Sequence, residues 1–241
     1  MEALHPDSSY HIFNHANGFE NTFRSKANFG YFLEKYRKYI APIAETYAYC
    51  LMPNHFHLVI RIRKRQTIEA LVIENNDRSI RYNFSKVANF ERGKSEGSNF
   101  GKVCSVDQGK SEGSNFGKVC SDIEIEKYLS KQFANLFSCY TQSFNKVYHR
   151  MGSLFIKNFK REPIFDKKYF LNAIVYTHRN PIHHRFCEKY EDWEYSSYSE
   201  IIEGFDDFIE ISKLLAMTNG LDSFKEIHRH SLKGFRTKCD L

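Results

Sequence analysis

Two histidines one residue apart, His55 and His57, break an otherwise apolar run that continues through Phe56, Leu58, Val59, Ile60 and Ile62. The β-branched and aromatic content of 55–62 predicts a strand. A strand sends alternate side chains to opposite faces, so the two imidazoles share one face while Phe56, Leu58 and Ile60 take the other. Imidazoles spaced that way on a rigid element can grip one divalent cation. Taken alone, such a pair is more often two partly exposed histidines. Here the neighbours are apolar, and an unpartnered polar group is costly to bury among them, which points to a site. Pro53 cannot donate to a ladder and marks the strand start. Asn54 beside it can hold an imidazole from behind.

The second candidate is a tyrosine. Residues 122–150 carry Leu129, Phe133, Leu136, Phe137, Tyr140, Phe144 and Val147 at steps of three and four, which predicts a long helix with one apolar stripe. Tyr140 lies on that stripe and faces whatever the helix packs against, which the element order makes a sheet. On spacing alone, a core tyrosine is the favoured reading.

The elements that would position these groups follow from period and punctuation. Residues 9–15 alternate as a first strand and Asn17-Gly18 turns the chain. Residues 27–40 place Phe29, Phe32, Leu33, Tyr36 and Ile40 at helical spacing, and Pro42 ends that helix. Residues 43–51 and 55–62 form a hairpin, residues 66–90 a helix broken near Asn75-Asn76, and residues 167–179 a helix ending before Asn180-Pro181. Strand, helix, strand, strand opens an α+β, ferredoxin-like (RRM-like) antiparallel sheet with helices packed on one face and a C-terminal helical extension.

At 241 residues, with 22 Phe and 15 Tyr, the chain has ample material for a core. The net charge of +6 is unevenly placed: between Lys146 and Lys189 ten Lys/Arg stand against three acids, so the remainder is slightly acidic. Basic charge interleaved with aromatics suggests a polyanion surface, nucleic acid first, although a solvated lysine-rich face gives the same pattern. Lys157, Lys160 and Arg161 belong to that segment. Arg61, Arg63, Lys64 and Arg65 at the strand exit either hold phosphates or blunt the strand end. The six cysteines lack C-x-x-C spacing, so zinc is not suggested. With no apolar leader and no run of membrane length, a cytoplasmic setting with free thiols is expected.

Gly93 to Ser105 recurs identically as Gly109 to Ser121. This stretch, rich in Gly, Ser and Lys, buries little and predicts a mobile loop. It lacks the spacing of a phosphate-binding loop, and two copies are too few for a solenoid.

The string YAYCLMPNHFHLVI resembles the histidine–hydrophobic–histidine (HUH) signature of single-tyrosine transposases, and is most similar to the REP-associated tyrosine transposases and their insertion-sequence relatives. The similarity begins at Tyr10-His11-Ile12-Phe13-Asn14 and returns after position 130. There Tyr140 to Phe155 resembles the family's nucleophile helix and the turn after it. Residues 153–165, YTHRNPIHH and Asp192 to Ser197 resemble its downstream regions. The resemblance implies a metal-dependent single-stranded DNA endonuclease and strand transferase working through a 5′-phosphotyrosine intermediate. It implies Mg²⁺ or Mn²⁺ on His55 and His57, and single-stranded or hairpin DNA as partner. It puts the nucleophile on Tyr140, with Tyr148 as competitor and Tyr128 less favoured. Some relatives carry a polar metal ligand four residues after the tyrosine. That residue here is Phe144, which leaves Gln142, Asn145 and His149, of which Asn145 matches a recurrent family position.

The implied organisation is 1–90 as the first part of the HUH domain, 91–121 as an insert, 122–200 as the nucleophile helix and remainder, and 201–241 as an extension without assigned function. Monomer and homodimer both remain open, with no membrane association. A non-catalytic ferredoxin-like nucleic-acid-binding module is the alternative, and a nuclease using activated water, with Tyr140 in the core, is a third.

Overall fold

The structure, a computed structural model, describes residues 2–77, 120–205 and 207–230. The duplicated stretch lies outside the described residues except for Cys120 and Ser121, as does the second half of the helix expected over 66–90.

Four strands, β1 (Ser9–His15), β2 (Ala44–Met52), β3 (His55–Ile62) and β4 (Lys160–Ile164), form one antiparallel sheet in the order β2-β3-β1-β4. Helix α1 (Lys26–Tyr39) links β1 to β2, and helix α2 follows β3 and is described over residues 65–77. Helix α3 (Asp122–Val147) leads into β4, and α4 (Lys167–His183) follows it. The C-terminal extension consists of α5 (Ser197–Glu203), α6 (Ile211–Thr218) and α7 (Leu221–Arg229). The α+β class and the antiparallel sheet are those expected from the sequence.

The two faces of the sheet are covered differently. Tyr10, Ile12, Phe56, Leu58 and Ile60 point to one face, where α1 and α3 lie. Phe32 of α1 meets Phe56 at 5.3 Å between ring centroids, and Phe137 of α3 meets it at 5.8 Å. The opposite face carries His11, Phe13, His15, His55 and His57, since residues paired across a ladder share a face. Helix α4 lies there, with Tyr176 edge-on to His11 and His57 at 5.8 and 5.5 Å. The sheet is therefore sandwiched, and α4 adds a second helical layer to the one that the pattern of the first three strands calls for.

Local chemistry accounts for the element ends. Ser121, the last residue of the duplication, caps α3 in a reciprocal capping box with Glu124. Asp166 caps α4 by accepting from Tyr169 N at 2.7 Å. Pro163 is tolerated in β4 because β4 is an edge strand. The other edge, β2, is covered: Leu51 N donates to Tyr195 O and Glu210 N to Thr46 O.

One boundary differs from the expectation, and it matters. The sequence pattern ends the fourth helix before Asn180-Pro181, whereas α4 runs through both to His183. Pro181 lacks an N–H, and the residue before a proline is biased away from helix. Here tertiary contact overrides that bias. Thr177, Asn180 and Pro181 are all buried, Asn180 against His55 and His57 of β3, and His184 N still closes onto Asn180 O at 3.0 Å.

Candidate active site

His55 and His57 are both buried, at 3% and 1% exposure, on the α4 face of β3. Between them sits the side-chain amide of Asn180. Its Oδ1 lies 2.8 Å from His55 Nε2 and its Nδ2 lies 3.1 Å from His57 Nε2. Asn54 Oδ1 lies 2.8 Å from His55 Nδ1, and His11 Nε2 lies 3.1 Å from His57 Nδ1. His15 and His184 flank the outer end, their rings 4.8 and 5.0 Å from that of His55. His184 is exposed, so the cluster reaches solvent there.

Burial holds the imidazoles neutral. It pushes the His55 pKa down to about 4, aided by His15 and His184 and partly opposed by the Asn180 contact. Burial pushes His57 well below its ordinary value, with His11 adding to the effect. Neutral imidazoles keep a lone pair for a ligand.

The hydrogen-bond count at Asn180 is informative. With His55 donating from Nδ1 to Asn54, His55 Nε2 carries a lone pair, and Asn180 Oδ1 facing it at 2.8 Å carries lone pairs too. Turning the amide round transfers the same conflict to His57 unless that ring changes tautomer. Two ring nitrogens and an amide oxygen converging this way match a mixed nitrogen and oxygen donor set for a divalent cation. Among the described residues no group of three or more His, Cys, Asp or Glu has a metal-holding arrangement. The third donor here is an amide, a type outside that group.

Tyr176 precedes Asn180 by four residues on α4, so both project from one helical face. It is half-buried, with its ring against His57 and His11.

The sequence-derived nucleophile is not brought to this cluster. Tyr140 is buried on the opposite face of the sheet, among Phe23, Phe32, Phe144 and Phe155, and its hydroxyl donates to Thr22 O at 2.6 Å. Burial drives its phenol pKa far upward. Asn145 is also remote: it donates to Gly152 O at 2.9 Å and accepts from Arg150 Nη1 at 2.7 Å, tying the turn after α3. Tyr148 donates to Asn28 Oδ1 on the α1 side. These placements differ from the roles that the resemblance implies for Tyr140 and Asn145. On spacing alone Tyr140 reads as a core tyrosine, and it lies in the core.

Sequence reasoning missed Tyr176 and Asn180. The signal was present in YTHRNPIHH, where a tyrosine stands four residues before an asparagine, the spacing that fails at Tyr140 and Phe144.

The basic residues divide. Lys160 is exposed on β4, paired across β1 Phe13 with the row that holds His57. Lys157 and Arg161 line a cavity of about 470 Å³ between α3 and residues 153–161, on the α3 face, with Phe137, Phe155 and Phe159 as its aromatic wall. Arg63 and Arg65 serve the fold. Arg63 donates to Ala41 O at 3.1 Å, and Arg65 reaches Glu69, Asp122 and Cys120 O at 2.9, 2.5 and 3.0 Å. Arg61, 3.8 Å from Asp7, and Lys64 lie at the end of β3 away from His55.

Fold and site together define a sandwiched, four-stranded α+β protein with two histidines and one amide converging beside a tyrosine. No family model matches the chain, and no curated protein matches it. The solved structure of a REP-associated tyrosine transposase bound to a REP hairpin is similar over 84% of each chain, with 10% sequence identity and a TM-score of 0.46. At that identity no residue role passes from one chain to the other. Among the described residues no helix is long and apolar enough to cross a membrane.

Proposed function

We propose that this chain cleaves and rejoins single-stranded or hairpin DNA through a covalent tyrosine intermediate, with Tyr176 as the nucleophile and His55, His57 and Asn180 as ligands of a divalent cation, Mg²⁺ or Mn²⁺. The observation that carries this reading is the Asn180 amide between the two Nε2 atoms, with Tyr176 one helical turn before it and against His57. The HUH resemblance of MPNHFH supports the reaction class.

The cation, when bound, would polarise a non-bridging phosphate oxygen and offset charge developing at phosphorus. The protein's own groups do the rest. Tyr176 Oη attacks phosphorus, forming the phosphotyrosine ester as the P–O3′ bond breaks. The electron pair leaves on O3′, and the net movement of the phenolic proton is to that 3′-hydroxyl. Because the ester retains the energy of the broken bond, a 3′-hydroxyl reverses the step and joins strands without ATP. Neutral His55 and His57 keep their Nε2 lone pairs directed at the centre. Lys160, on the same face, suits a flanking phosphate.

Incubation with a pool of randomised hairpins and Mn²⁺ tests this reading. Wild type and Tyr140→Phe should form a covalent protein–DNA species, and Tyr176→Phe should not. Absence of an adduct with retained hairpin binding favours the non-catalytic module.

A further inference from the structure

Behind His57 lies a second layer of buried polar groups that the proposed reaction does not use. His11 of β1 is fully buried, its ring stacked on that of His57 at 5.2 Å between centroids and 18° between planes. His11 Nε2 meets His57 Nδ1 at 3.1 Å. On its far side, His11 Nδ1 has no hydrogen-bond partner among the described residues, and Glu162 Oε2 of β4 lies 3.8 Å from it. Glu162 is itself buried, and Tyr169 donates to the same Oε2 at 3.1 Å. The register makes this line-up a property of the sheet, because His11 stands directly across from Val59 on β3 and from Glu162 on β4.

We propose that Glu162 and His11 are positioning residues that lock His57 in the tautomer with its hydrogen on Nδ1, so that Nε2 presents a lone pair to Asn180 and the cation. This inference rests on the metal-site reading above. Between neutral imidazoles the contact has two arrangements. If His11 donates from Nε2, its own Nδ1 becomes a lone pair aimed at a buried carboxylate, and the two repel in a medium of low dielectric. If His57 donates from Nδ1, His11 must carry its hydrogen on Nδ1, and an N–H dipole then faces the carboxylate. The second arrangement is the favourable one, and it needs no hydrogen bond at 3.8 Å, only the sign of the field.

The result matches what Asn54 does for His55. Its Oδ1 accepts from His55 Nδ1 at 2.8 Å, which also leaves Nε2 as the lone pair. Two unrelated devices, a neighbouring amide and a carboxylate–histidine pair from two other strands, impose one tautomer on both histidines. Outer partners of this kind orient a ligand and raise its basicity.

The test reads the tautomer directly. Long-range ¹H–¹⁵N correlation on metal-free, imidazole-labelled full-length protein assigns the protonated nitrogen of each ring. Wild type should show His57 and His11 protonated on Nδ1. Glu162→Gln keeps the shape but offers His11 a donor as well as an acceptor, so His57 should become a tautomer mixture. Glu162→Asp retains the carboxylate and should restore the wild-type pattern. By calorimetry, Glu162→Gln should bind Mn²⁺ about 10-fold or more weakly than wild type, and His11→Phe at least as weakly. The NMR pattern in Glu162→Gln stands in for His11→Phe if that variant does not fold. His57 protonated on Nε2 in wild type, or an unchanged tautomer in Glu162→Gln, overturns the proposal. The expected tautomers in a protein that binds no Mn²⁺ would uphold the relay and overturn the cation reading instead.

Discussion

The hydroxyl of Tyr140 and the imidazole of His57 lie on opposite faces of the same sheet, with Phe56 pointing to the tyrosine's side and the histidine to the other. Tyr140 is thus a core residue whose single polar atom is satisfied by Thr22 O at 2.6 Å. Tyr140→Phe deletes that bond and leaves a buried carbonyl short of a donor, so it should lower stability by about 1–2 kcal/mol. Tyr140→Ala opens a cavity in the aromatic layer and should cost about 3–5 kcal/mol. Urea denaturation measures both. Catalytic turnover per folded molecule should be unchanged in Tyr140→Phe.

Asn180 should govern cation binding. Asn180→Ala removes the only non-histidine donor of the three, and Mn²⁺ affinity by calorimetry should fall about 10-fold or more. Asn180→Asp substitutes a carboxylate oxygen, a good ligand for hard cations, and should bind at least as well as wild type. Equal binding by wild type and Asn180→Ala would remove Asn180 from the ligand set.

The basic residues should separate into two groups. Lys160→Ala, exposed on the histidine face, should weaken hairpin binding and reduce the slope of affinity against salt by about one unit. Arg65→Ala should leave that slope alone and lower thermal stability, because its guanidinium joins α2 to the start of α3 through Glu69 and Asp122. Filter binding over a salt series distinguishes the two.

Stability should fall in mild acid. His228 donates from Nδ1 to Phe224 O and meets His178 at 2.9 Å, and His178 in turn meets Ser197, joining α7, α4 and α5. Burial pushes His228 down to about 4 and His178 well below its ordinary value. The unfolded chain binds these protons first, so stability is complete above the ordinary histidine pKa of about 6.5 and declines as pH falls toward 4. His228 alone accounts for a loss on the order of 3 kcal/mol. Denaturation midpoints of wild type and His228→Gln across that range should converge at the acid end, and parallel curves would contradict this account.

Much of the fold was legible because its signals are periodic. The alternation in Ser9–His15 and His55–Ile62 and the stripe of α1 needed only a count of apolar positions. His55 and His57 were legible for the same reason, as polar residues on one face of an apolar strand. The partner helix was not. Both α3 and α4 carry a tyrosine directed at the sheet, and the choice between faces is made by the chain's path through β4, which no local pattern encodes. The Asn180-Pro181 pair added to the difficulty. A local rule ends the helix there, whereas burial of Thr177, Asn180 and Pro181 carries it one turn further, and that turn holds the residue that bridges the histidines.

The most direct test of the nucleophile is the position of the covalent bond. Wild-type protein trapped on a hairpin pool with Mn²⁺ is digested with nuclease and trypsin, and the nucleotide-bearing peptide is sequenced by mass spectrometry. The account predicts the modification in the peptide Tyr169–Arg179, on Tyr176, and its loss in Tyr176→Phe. A nucleotide on Tyr140, in the peptide Gln132–Lys146, or on Tyr148 would contradict it.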